Sequence, residues 1–183
     1  MRTIVEKNSD NIVILDVFSK LIQNRSIFID DVITPELANE TVAQLLYLDA
    51  MDTGKPIKMY INTPGGLVTQ GLAIYDTMQL LKSPVVTIGL GQVASMGTIL
   101  LIAGTQRKAT KNTRIMFHEV SSMQGGKLSE MKIDLAESEL LNNVLMNIIE
   151  EKTNIKNAAE QFKFDKWYNV DEALELGILT EIL

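Results

Sequence analysis

An α/β architecture of repeated βαβ units on a largely parallel sheet follows from three observations. Short β-branched runs alternate with helix-length amphipathic stretches along most of the 183 residues. The turns between them fall where Pro and Gly cluster. No repeat, low-complexity tract or linker divides the chain, which is expected to form one unit.

Ser26–Ile29 reads as a strand. Thr34 and Pro35 then supply an N-cap and a first helical residue for a helix reaching about Met51, with Leu37, Val42, Leu45, Leu46 and Leu48 on its broad apolar side. Ile57–Ile61 is the next strand and ends in the sharp turn Asn62–Gly66. A helix over Thr69–Lys82 leads to the β-branched strand Val85–Leu90 and an apolar helix over Ser95–Ala103. Ile115–Phe117 is a strand that delivers His118 at its end. Gly125 and Gly126 break the chain before a long helix over Leu128–Lys152. A short helix over Val170–Leu176 stops at Gly177, and Ile178–Leu179 reads as the final strand.

Composition removes several function classes. Without cysteine there is no disulfide, thiolate metal site or cysteine nucleophile, and one histidine rules out the usual zinc sites. No metal or cofactor is expected. The net charge of −6, with scattered Lys and Arg, argues against nucleic-acid binding. The polar N-terminus lacks the apolar region of a secretory signal, and the internal run Val93–Gly104 is too short for a bilayer, so a cytoplasmic location away from membranes is expected.

Ligands of such folds sit beyond the carboxyl ends of the strands, and Gly65-Gly66, Ser95 and His118 all follow strands. Acyl transfer needs a nucleophile, a base, an orienter for the base and donors for an oxyanion. Ser95 and His118 offer the first two, imidazole being the side chain that titrates near neutrality. Ser95 opens a helix, where its own N–H and that of Met96 lack helical partners. Gly66 offers a second oxyanion donor from a turn whose glycines allow close backbone approach. Each feature alone has a bland meaning: a helix-capping serine, a structural histidine, a turn. Their joint order points to chemistry. From the residues alone the orienting acid stays open among Asp165, Asp134, Asp171 and Glu119.

The blocks Ile61–Gly66 (INTPGG), Ile74–Met78 (IYDTM), Gly91–Gly97 (GQVASMG) and Arg114–His118 (RIMFH) resemble the signatures of the proteolytic subunit of the Clp protease. The likeness extends from Asp16–Ile22 to Asp171–Gly177; the Pro-Gly-Gly turn is shared with wider crotonase-like folds. The resemblance implies a crotonase-like Clp-protease fold with a protruding strand–helix handle over about Val120 to Lys152, and an axial N-terminal segment to about Val13. It implies an ATP-independent serine endopeptidase with Ser95 as nucleophile, His118 as base and Asp165 as the acid. Gly66 and Met96 become the oxyanion donors, and an extended peptide lies along Gly65, Leu67 and Val68. It also implies stacked seven-membered rings of identical subunits that enclose the sites, with peptides or unfolded proteins fed by an AAA+ unfoldase.

The chain departs from the family pattern in places. Glu119-Val120 stands where the family usually has Gln-Pro, and the stretch from Gly104 to Arg114 is slightly short. Lys58, Lys108 and Thr110 replace aromatic or aliphatic residues of the unfoldase-docking pocket, while Tyr60, Leu80 and Ile88 stay apolar. A lysine there costs desolvation, so an altered docking surface is expected. Two other readings use the same features: a crotonase-like acyl-CoA enzyme without a serine nucleophile, and a non-catalytic ring subunit or scaffold. Covalent labelling of Ser95 by a fluorophosphonate separates the peptidase from the acyl-CoA enzyme, and a ring assembly with no peptidase activity under any partner condition marks the scaffold. Activity is expected to fall in acid, because protonated imidazole cannot take the serine proton.

Overall fold

A computed structural model describes residues 3–8, 11–122 and 125–183. The N-terminal segment expected to be axial is, where described, a hairpin. β1 (Thr3–Asn8) pairs antiparallel with β2 (Asn11–Asp16); Met1, Arg2, Ser9 and Asp10 lie outside the described residues. Asp16 ends β2 and caps α1 (Val17–Gln23), its carboxylate accepting the Phe18 and Ser19 N–H groups.

β3 (Ser26–Ile29) leads to α2 (Pro35–Met51), where Thr34 Oγ1 accepts the Leu37 N–H as its capping position predicts. β4 (Ile57–Thr63), α3 (Val68–Leu80), β5 (Val85–Ala94) and α4 (Met96–Ile102) follow in the expected order. β6 (Gln106–Ala109) and β7 (Arg114–Phe117) precede α5 (Leu128–Lys152) and the short α6 (Ala158–Gln161). β8 (Lys166–Tyr168), α7 (Val170–Glu175) and β9 (Glu181–Ile182) complete the chain.

β3, β4, β5, β6 and β9 form one parallel run; β7 adds parallel to β5, and β8 pairs antiparallel with β7. The largely parallel βαβ sheet is therefore present. Periodicity missed β1, β2, α1, β6, α6 and β8. In β6, Gln106-Arg107-Lys108 carries no apolar alternation, and its strand state comes from lying between β5 and β9. The last strand is displaced from Ile178–Leu179. Both of those N–H groups donate to the Ala173 carbonyl, which closes the end of α7 and turns two buried apolar side chains inward.

The core gathers the inward faces of β3, β4 and β5 with α2, α3 and α4. α5 divides in two. Leu145, Met146, Ile148 and Ile149 are buried, whereas Leu128, Ile133, Leu135 and Leu140 in its first half are exposed, Ile133 to 69%. Periodicity alone favours an amphipathic core helix; only the second half is one. The strand expected ahead of this helix is absent among the described residues of the stretch. A strand needs a ladder partner, and here the Val120 N–H donates instead to Asn142 Oδ1 on α5.

Beneath β7 lies an aromatic cluster. Phe117 stacks on Phe162 at a centroid distance of 4.9 Å, and the Tyr168 ring meets Phe117 edge-on at 6.2 Å. Phe162 is fully buried. Phe162→Ala is expected to cost about 3–5 kcal/mol of stability in denaturant unfolding.

Candidate active site

The site grows out of a change of neighbour along β5. Its first part, Val85–Gly89, pairs with Ile57–Ile61 of β4, and Val86–Gly89 also pairs with β6. Beyond Gly91 (φ +56°), Gln92, Val93 and Ala94 pair in parallel with Arg114, Ile115 and Met116 of β7. The register against β4 shifts between Ile61 and Thr63, and the Gln92 N–H donates to Asn62 Oδ1 at 3.1 Å where the strands part.

That ladder runs one residue past the strand end. The Ser95 N–H donates to the Met116 carbonyl at 2.9 Å. This corrects the expectation that the Ser95 amide is free: the extended pairing with β7 consumes it. Ser95 itself sits at φ 54°, ψ −127°, a conformation that side-chain-bearing residues rarely adopt. It lies on a sharp strand-to-helix turn, like the nucleophile elbow of α/β-hydrolases. Thr98 braces the turn, its hydroxyl bonding to both the Val93 and the Met116 carbonyls at 3.0 and 2.8 Å.

His118 follows β7 directly. Its Nε2 lies 2.7 Å from Ser95 Oγ, within hydrogen-bond reach. On the other side of the ring, Nδ1 is 3.6 Å from Asp165 Oδ1, an ion-pair distance rather than a direct hydrogen bond. The antiparallel register explains the placement: Phe117 faces Lys166, so the next pair outward is His118 and Asp165. The Glu119 N–H donates to the Phe162 carbonyl at 2.7 Å and fixes the backbone just beyond the imidazole. The His118 side chain is 21% exposed and that of Asp165 65%. The other candidate acids stand elsewhere. Asp134 is exposed on α5 and Asp171 in the first turn of α7, while Glu119 is exposed beside the cavity described below.

Gly65 and Gly66 wedge between two backbones. The Ile33 N–H donates to the Gly65 carbonyl and the Leu67 N–H to the Ile33 carbonyl, at 2.8 and 3.0 Å. The Gly65 N–H takes Thr63 Oγ1, whose hydroxyl in turn donates to the Asp31 carbonyl. A Cβ at Gly65 would lie 2.6 Å from the Ser95 Cβ; one at Gly66 would lie 2.5 Å from Ile33 backbone atoms. Only glycines let the loop come this close to Ser95. Among the described residues, no backbone carbonyl in a turn, loop or cap takes the Gly66 or Met96 N–H.

Gly66, Ser95, Met96 and His118 border one cavity of about 40 Å³. Val68, Ile99, Leu145, Met146 and Ile149 give it apolar walls. No local run of residues maps this pocket. The signal was present in the apolar spacing Leu145, Met146, Ile149, one helix face, but nothing local says that this face meets α4. Among the described residues there is no cluster of three or more metal-ligating side chains, and no helix is long and apolar enough to cross a membrane.

A serine and an imidazole at the ends of neighbouring parallel strands, beside two uncommitted amides, is the layout of a serine hydrolase. A family model described as Clp protease matches residues 8–183. Proteins named ATP-dependent Clp protease proteolytic subunit, from two strains of Bacteroides fragilis (ATCC 25285 and YCH46), are each 41% identical to this chain. The alignments cover 98% of the chain and 89% and 84% of the relatives. One of the same name from Bacteroides thetaiotaomicron is 40% identical, with 98% and 84% coverage. The chain belongs to the Clp protease family, and its activity is that of a serine-type endopeptidase.

Gly65→Ala drives a methyl against the Ser95 Cβ and the Ala94 carbonyl. Fluorophosphonate labelling of Ser95 is expected to slow by about 10²-fold or more, comparable to losing an oxyanion donor.

Proposed function

We propose that this chain is the ATP-independent peptidase core of an oligomeric chamber, with Ser95, His118 and Asp165 as its catalytic triad. The separation of 2.7 Å between His118 Nε2 and Ser95 Oγ carries this reading. Ser95 Oγ attacks the scissile carbonyl carbon while His118 Nε2 takes the hydroxyl proton. The negative oxygen formed is held by the Gly66 and Met96 N–H groups. His118 returns the proton to the leaving amine, and water then repeats the sequence to release the acyl group from Ser95. Asp165, facing Nδ1, orients the ring and stabilises its cationic form. The peptide lies extended along Gly65, Leu67 and Val68, adding main-chain bonds to that edge.

In the proposed assembly, residues 1–183 form one Clp-protease-like domain with about 1–13 as its axial segment and about 120–152 as its handle. Identical subunits build stacked seven-membered rings in the cytoplasm. The exposed apolar side chains on the first half of α5 support a contact between copies there. Unfolded proteins reach the chamber through an AAA+ unfoldase.

Docking of that unfoldase is altered in this chain. The strand registers line up Phe28, Tyr60, Ile88, Lys108 and Glu181 in one row across the sheet. The row opens with stacked aromatic rings at 5.0 Å and ends in a Lys108–Glu181 ion pair at 2.6 Å. Glu181 thus gives Lys108 the partner whose absence would make a lysine costly there, and the face is polar at one end. Degradation assays with an unfoldase that serves a conventional family member are expected to show no stimulation; stimulation overturns the altered docking.

Ser95→Ala is expected to lower peptide turnover by about 10⁴ to 10⁶-fold and Asp165→Asn by about 10⁴-fold, both with folding intact. Near-normal turnover of Asp165→Asn in a fluorogenic peptide assay moves the orienting role to another acid.

A further inference from the structure

The cavity beside Ser95 has mixed walls, apolar side chains alternating with the polar groups of Ser95, His118, Glu119 and Ser121. Its walls come from α3, α4 and α5, while the segment just after His118 contributes Glu119, Val120 and Ser121. Among the described residues, Glu119 is the one carboxylate on the lining, and no lysine or arginine stands there. Its backbone is pinned: the Glu119 N–H donates to the Phe162 carbonyl and the Val120 N–H to Asn142 Oδ1, at 2.7 and 3.0 Å. Its side chain is exposed, and the residue borders the cavity. Asp165, on the far side of the imidazole, adds negative charge to the same neighbourhood.

We propose that Glu119 is a specificity-determining residue. It selects against acidic side chains, and for side chains with an aliphatic stem and a cationic end, at the substrate position that occupies this cavity. The inference rests on Ser95 being the nucleophile. The apolar walls accept methylene groups whatever the terminal group is. The terminal group then comes within reach of the Glu119 carboxylate, which is carried on a pinned backbone. A like charge there is repelled and an ammonium or guanidinium attracted. Because Glu119 is solvated, the effect is modest and salt-sensitive.

The test uses the full chain with peptidyl diphenyl phosphonates ending in lysine, leucine or glutamate analogues. Ser95 Oγ displaces one phenoxide from phosphorus and its proton passes to His118, so labelling is read as intact mass without turnover. In the unaltered protein the lysine probe is expected to label faster than the glutamate probe. That ratio falls by about threefold or more in Glu119→Gln, inverts in Glu119→Lys, and shrinks in the unaltered protein as salt is raised. The same ratio in all three proteins, with Ser95 labelled in each, overturns the role of Glu119 and leaves the nucleophile in place. Failure of every probe to label Ser95 in any of them overturns both.

Discussion

The parallel pairing of the far end of β5 with β7 sets the distance between the Ser95 hydroxyl and the His118 imidazole. Three residue pairs, Gln92 with Arg114, Val93 with Ile115 and Ala94 with Met116, fix the register. One further bond, from the Ser95 N–H to the Met116 carbonyl, carries it past the strand end. A slip of one residue would turn the side chains to opposite faces and part the hydroxyl from the imidazole. The register in turn depends on β5 leaving β6 after Gly89, which the bend at Gly91 allows. A second ladder, between β7 and β8, brings the carboxylate to the other side of the same ring. The aromatic cluster of Phe117, Phe162 and Tyr168 packs beneath these strands.

Much of this was legible in the residues because the signals were local. Thr34-Pro35 announces α2, the β-branched run Val85–Leu90 announces β5, and the apolar run from Ser95 to Ala103 announces α4. What escaped was set by distant parts of the chain. Lys166–Tyr168 is too short and too polar to declare itself a strand, yet its pairing with β7 puts Asp165 opposite His118. From spacing alone that acid could not be told from Asp134, Asp171 or Glu119; the family likeness pointed to Asp165, and the register supplies a physical reason for its position. The Ser95 amide was misjudged for the same reason. A helix start leaves it free in isolation, and a neighbouring strand consumes it.

The two halves of α5 carry the same lesson. Hydrophobic spacing does not distinguish a side chain packed within its own chain from one left for another surface. Leu145, Met146 and Ile149 close over α4 and wall the cavity, whereas Ile133 and Leu140, equally apolar, meet solvent. The lysine on β6 is a parallel case. Read alone, Lys108 is a charge in an apolar setting; across the sheet edge it has Glu181.

The backbone at Ser95, at φ 54° and ψ −127°, has a consequence for how this lineage can change. Glycine occupies that region at little cost, so a copy released from selection for peptide cleavage gains thermodynamically by drifting from serine to glycine. Retention of serine at this position is therefore a more telling sign of selected chemistry than retention of a serine in a relaxed helix cap. Pseudoenzyme descendants should carry glycine here more often than alanine.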